Sequence, residues 1–167
     1  MDKILRKAKE QELAEIVLIF KKAISKMSTQ NIFQWDDKYP DEEILRKDIL
    51  KGELHVLCEG EVIKACVVLN ETQNIEYQTG EWQYSEGKIG VVHRLCIHPD
   101  YQGQGNGTIL MQLVEAYLRE GGYHIIRLDT FAPNRIARSL YEKMGFTYAG
   151  EVTFDDRGYF KLMEKKI

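Results

Sequence analysis
The sequence predicts a single α/β domain, and three observations carry that prediction. Gly90-Val91-Val92-His93-Arg94-Leu95-Cys96-Ile97 is rich in β-branched and apolar residues, the pattern of a strand. Ile109, Leu110, Leu113, Val114, Tyr117 and Leu118 then recur at helical spacing, with the glycine-rich loop Gln102-Gly103-Gln104-Gly105-Asn106-Gly107 between the two. Outside this unit, strand-like and helical periods succeed one another without a linker, a repeat or a low-complexity run. At 167 residues, 44% of them hydrophobic, the chain is long enough to build one proper core.

Lys3 to Ala8 reads as a first strand. Leu13, Ile16, Val17, Phe20, Ala23, Ile24 and Met27 trace one apolar face of a helix. Asp41 is placed to cap a second helix running toward Lys51, with Gly52 beyond its end. Leu54 to Glu59 and Val62 to Asn70 flank Gly60-Glu61 as a two-residue hairpin. Glu71 to Gly87 is polar and aromatic without a period, and reads as a long loop with some short strand character. The strand to Ile97, the glycine loop and a helix to about Glu120 follow, broken at Gly121-Gly122. Tyr123 to Thr130 is a further strand, and Pro133-Asn134 opens a last helix packed through Ile136, Leu140 and Met144. Phe146 onward and Arg157 to Lys166 supply the closing strands.

A strand, a glycine-rich loop and a helix start together form an anion cradle. Glycines admit close backbone approach, and first-turn N–H groups point outward at the positive end of the helix dipole. A Walker-type loop requires Gly-Lys-Ser/Thr, whereas Gly107 is followed by Thr108 with no lysine in the loop. A dinucleotide fingerprint counted from Gly103 meets Thr108 where its third glycine belongs, although Asp129 stands about 20 residues on, where a ribose-binding acid would stand.

The pattern that does fit is Gln102-x-x-Gly105-x-Gly107, and here the chain resembles the GCN5-related N-acetyltransferases. The resemblance continues through Leu95-Cys96-Ile97-His98-Pro99 and through Asn134-Arg135-Ile136-Ala137-Arg138-Ser139-Leu140-Tyr141-Glu142-Lys143-Met144-Gly145-Phe146. It implies an α/β (α+β) fold with a central mixed, mostly antiparallel sheet of about seven strands flanked by about four helices. It also implies acetyl-CoA as donor, its pyrophosphate held by Gln102, Gly103, Gln104, Gly105, Asn106, Gly107 and Thr108. By the same resemblance, Leu95, Cys96 and Ile97 meet the pantetheine arm and Asn134 binds the cofactor or supports the site. The acceptor is then an amine, small-molecule or peptide, that attacks the thioester directly, and a homodimer is a common assembly.

Acetyl transfer requires a neutral amine, a polarised carbonyl and a proton for the leaving thiolate. Tyr141 stands where such proteins often place the general acid, and a phenol with a reference pKa near 10 keeps its proton at neutral pH. At the position where the family often has a glutamate base this chain has Val91. His93 lies on the same strand face two residues on, and its reference pKa of about 6.5 suits a base acting through water. Glu76, Glu81 and Glu164 are further choices of base, and Arg127 and Asp129 on one strand face read as an ion pair. Gln34-Trp35 with Tyr39-Pro40, and His93-Arg94, resemble a bacterial subgroup of the family. In that setting Trp35 and Tyr39 would stack on the acceptor, unless Trp35 simply closes the core.

A formal net charge of −3 makes no case for nucleic acid or an anionic membrane. Cys58, Cys66 and Cys96 lie in apolar segments and read as reduced, buried thiols. The four histidines have no metal-ligand spacing, so no metal is expected. With no apolar leader and no span of ~20 apolar residues, a cytoplasmic protein is expected. Two other functions fit parts of the pattern: a noncatalytic acyl-CoA-binding module, and a nucleotide or dinucleotide binder.

Overall fold
The computed structural model describes residues 1–154 and 157–167. In chain order the elements are β1 (Lys3–Lys7), α1 (Leu13–Thr29), α2 (Glu42–Leu50), β2 (Leu54–Glu59), β3 (Val62–Asn70), β4 (Ile89–Ile97) and α3 (Asn106–Glu120). They are followed by β5 (Ile125–Phe131), α4 (Arg135–Lys143), β6 (Thr147–Thr153) and β7 (Tyr159–Lys166). The seven strands form one mixed sheet in the order β1-β2-β3-β4-β5-β7-β6. β4 and β5 pair in parallel, while β1–β2, β2–β3, β5–β7 and β6–β7 are antiparallel. The chain divides into two compact units, Met1–Leu69 with Arg94–Leu113, and Asn70–His93 with Val114–Ile167.

In the first unit, α1 buries Ile16, Ile19, Phe20 and Ala23 on one stripe, as the period requires. These side chains join Leu45 and Ile49 of α2, Val56 and Cys58 of β2, Cys66 and Val68 of β3 and Cys96 of β4 in one apolar core. The start of α2 is set by Asp41, whose carboxylate accepts from the Ile44 N–H at 2.9 Å. Gly60 takes φ +62 at the head of the β2–β3 turn, as a Gly-first two-residue hairpin demands.

In the second unit, β5 runs from Ile89↔Ile125 to Val92↔Leu128 along β4, and its other edge pairs with β7. α3 ends where Gly122 turns to φ +82 and the Tyr123 N–H reaches back to the Leu118 carbonyl at 3.0 Å. α4 is capped by Asn134, whose Oδ1 accepts from the Ala137 N–H at 3.1 Å.

Two expectations need correction. Ile136 is 73% exposed, and the residue of α4 that turns inward is Tyr141, 5% exposed. A residue of an α-helix advances about 100° per step, so Ile136 sits one step off the stripe that Ala137 and Tyr141 share. The long loop after β3 has a 3-10 turn at Ile75–Thr79 in place of strand character. That turn buries Tyr77, and the Trp82 Nε1–H caps the Tyr77 carbonyl at 2.8 Å.

Candidate active site
The glycine loop lies in the first unit, between a 3-10 turn at Pro99–Tyr101 and α3. Gly103 and Gly105 take φ +72 and +80, a backbone that only glycine adopts freely. A Cβ built on either would meet nothing within 4 Å, so the backbone there faces open space. The helix begins at Asn106, earlier than the apolar period alone suggests, so Asn106, Gly107 and Thr108 form its first turn. Their N–H groups have no intrahelical partner, which is the condition for an anion site.

The side-chain amides of the loop are engaged by the chain just before it and by Lys3. Gln102 Nε2 donates to the Ile97 carbonyl at 3.2 Å and Gln104 Nε2 to the Asp100 carbonyl at 3.3 Å. Asn106 is 2% exposed; its Nδ2 donates to the Tyr101 carbonyl and its Oδ1 accepts from Lys3 Nζ, both at 2.8 Å. These amides brace the loop and the start of α3.

On β4, Leu95 and Ile97 are half-buried, while Cys96 is 3% exposed among the core residues. Burial pushes the Cys96 thiol up to about 12, which keeps it protonated and unreactive. Trp35 is 8% exposed and packs on Phe20 with ring centroids 5.4 Å apart, which accounts for the ring as a core residue. The Tyr39 hydroxyl accepts from Arg94 Nη1 at 3.0 Å, so two sequence features that stand far apart, Tyr39-Pro40 and His93-Arg94, meet in space.

In the second unit, Tyr141 is held inside. Burial raises its phenol well above the ordinary value, and the negative charge of Asp129 adds to the effect. His93 Nε2 lies 2.8 Å from Asn70 Oδ1 and 3.0 Å from the Thr72 carbonyl. Both partners are acceptors, so Nε2 carries the proton and Nδ1 is the basic nitrogen of the neutral ring.

A family model described as the acetyltransferase (GNAT) family matches residues 20–146. The chain belongs to that family. An uncharacterized N-acetyltransferase of Bacillus subtilis, YesJ, is 28% identical over 137 residues, which are 80% of this chain and 73% of that one. A GNAT-family acetyltransferase from Streptococcus agalactiae has the same fold, with a TM-score of 0.85 at 21% identity over 99% of this chain and 95% of that one. The PaiA N-acetyltransferase of Thermoplasma acidophilum, solved in complex with coenzyme A, gives 0.74 at 18% identity over the whole of both chains.

Several side chains of this acetyltransferase have firm structural duties. Glu164 is fully buried and accepts from the Gln83 and Tyr84 N–H groups at 2.7 and 3.0 Å. Arg127 donates to Gln73 Oε1 at 2.8 Å and to the Tyr84 carbonyl at 2.7 Å, and lies over the Trp82 ring at 4.2 Å. Asp129 accepts from the Tyr77 hydroxyl at 2.6 Å, a pairing that the sequence separation of 52 hides. Asp48 also escapes a reading of the sequence. It is 5% exposed on the inner face of α2 and grips Arg94 at two points. One signal pointed to it: a carboxylate between Leu45 and Ile49 on an otherwise apolar stripe. Among the described residues no group of His, Cys, Asp and Glu is placed to hold a metal ion, and no helix is long and apolar enough to cross a membrane.

Proposed function
We propose that this family member carries an acetyl group from acetyl-CoA to a primary amine on a small molecule or peptide, the amine attacking directly while both substrates are bound. The observation that carries the reading is the loop, where Gly103 and Gly105 leave open space beside the first turn of a 15-residue helix. Gln102 to Thr108 hold the diphosphate there through backbone N–H groups, in the way helix N-termini hold anions generally. PaiA's complex with coenzyme A, on the same fold, supports the choice of ligand.

Acetyl-CoA supplies an acetyl group activated as a thioester. Main-chain groups of Leu95, Cys96 and Ile97 hold the pantetheine arm, and their N–H groups draw charge onto the carbonyl oxygen. The Tyr141 Oη keeps its proton for the departing sulfur, since burial disfavours the phenolate. His93 Nδ1 accepts the proton of the amine through water. Asn134 secures the start of α4, the helix that bears Tyr141. The unreactive Cys96 thiol favours direct transfer over an acyl-cysteine route.

The experiment is acetyl-CoA turnover against pooled amines, followed by thiol release and mass spectrometry of products, beside calorimetry with acetyl-CoA. Acetylated amine and free thiol in equal amounts are expected. Uptake without turnover on any amine would instead favour a noncatalytic module, a reading that the fully buried Val91 at the usual glutamate position keeps in view. No uptake at millimolar acetyl-CoA would end both.

A further inference from the structure
Arg94 stands inside β4 with φ +46, and the other positive-φ residue besides glycines among the described residues is Asn31. Asparagine adopts that backbone readily, whereas a long side chain does so only when its surroundings impose it. One left-handed residue in a strand turns the following peptide planes out of the regular ladder, and so re-aims their N–H and C=O groups. The peptides that follow Arg94 are those of Leu95, Cys96 and Ile97.

The contacts of its side chain impose the turn. Arg94 Nε donates to Asp48 Oδ2 and Nη2 to Asp48 Oδ1, both at 2.8 Å, a two-point fork with fixed direction. Nη1 donates to the Tyr39 hydroxyl at 3.0 Å. The side chains of Arg94 and Asp48 are 15% and 7% exposed, so water competes little for either. Asp48 is fixed in turn by α2, whose neighbouring Leu45 and Ile49 sit in the core. A guanidinium gripped at three atoms leaves its own backbone little freedom.

We propose that Asp48 and Tyr39 are positioning residues: through Arg94 they hold β4 in its left-handed turn and thereby set where the Leu95–Ile97 main chain meets the pantetheine arm. This rests on the acetyl-CoA reading above, and assigns Tyr39 a task other than contact with the acceptor. Neither residue touches the cofactor in this role. The device separates two halves of the ligand, because the diphosphate belongs to the glycine loop and the pantetheine to β4.

The test compares coenzyme A with 3′-phosphoadenosine 5′-diphosphate, which has the diphosphate and lacks pantetheine, by calorimetry on the full chain. Arg94→Ala removes the fork and keeps a Cβ on the strained backbone; it should weaken coenzyme A about tenfold or more and the shorter ligand less than about twofold. Arg94→Gly also removes the fork but accepts a positive φ freely, so it should recover most of the loss. Asp48→Asn should follow Arg94→Ala, with thermal unfolding recorded on every variant to confirm a folded protein. Equal weakening of both ligands, no weakening of coenzyme A, or Arg94→Gly no better than Arg94→Ala would each overturn the proposal. Wild-type protein that takes up neither ligand would overturn the acetyl-CoA reading itself, and this proposal with it.

Discussion

Phe146 folds back onto Tyr141, their ring centroids 5.8 Å apart and nearly edge to face at 63°. The contact closes α4. Gly145 turns to φ +89, and the Phe146 N–H donates to the Tyr141 carbonyl at 3.0 Å. A left-handed glycine followed by an apolar residue that packs five positions back is a standard way to end a helix. The Tyr-Glu-Lys-Met-Gly-Phe run therefore fixes the orientation of the tyrosine ring and shields it from water.

That shielding makes the first prediction. Tyr141→Phe keeps the ring contact with Phe146 and removes only the hydroxyl, so kcat should fall about 100-fold or more while the Kd of acetyl-CoA changes little. Because burial and Asp129 raise the phenol above its ordinary value, kcat in the wild type should show no alkaline loss below pH about 10. Single-turnover rates and a pH profile read both. Wild-type turnover in the variant would show that the proton comes from elsewhere.

The glycine loop makes the second. Gly105→Val places a branched side chain in the open space beside the first turn of α3 and forces it onto φ +80. The Kd of acetyl-CoA should rise at least about tenfold, a loss of about 1.4 kcal/mol or more in binding. Gln102→Ala should do less, since its amide braces the loop on the Ile97 carbonyl and leaves the main-chain donors in place. Calorimetry on both variants decides it. An unchanged Kd for Gly105→Val would move the diphosphate off this loop.

Features set by local chemistry were legible in the sequence. Asp41 as a cap, Gly60-Glu61 as a hairpin and Gly121-Gly122 as a helix end each act within a few residues of themselves, and all three appear as expected. Long-range pairing was not legible. Nothing in the sequence marks Arg94 for a left-handed backbone, because the cause is Asp48, 46 residues away. Ile136 misleads for a different reason: an apolar residue at a helix start fits either of two adjacent stripes, and the packing selects the one through Tyr141.

Trp35 gives the third prediction. Its indole lies in the core against Phe20, so Trp35→Ala should cost roughly 3–5 kcal/mol of folding stability through the cavity it leaves. Trp35→Phe keeps most of the volume and should cost less, with turnover close to wild type. Urea unfolding followed by circular dichroism measures both. A loss below about 1 kcal/mol for the alanine variant would mean the ring is not a core residue.

The last prediction concerns pH. His55 is 2% exposed, and its Nδ1 lies 2.8 Å from the Glu53 carbonyl, so Nδ1 carries the proton of the neutral ring. A second proton would have to go to Nε2, which is itself buried. Burial holds the folded pKa below the ordinary 6.5, with Lys7 adding repulsion and the Glu53 carbonyl opposing both. The unfolded chain therefore binds a proton near pH 6.5 that the folded protein refuses. The stabilising contribution is complete above 6.5 and is lost as the pH falls through that value and on through the folded pKa. Each unit of depression contributes about 1.4 kcal/mol. Urea unfolding at pH about 7.5 and about 5.5 should thus show the wild type losing stability on acidification, and His55→Gln, which does not titrate there, losing measurably less. Equal losses in the two proteins would show that this imidazole is not the group that titrates.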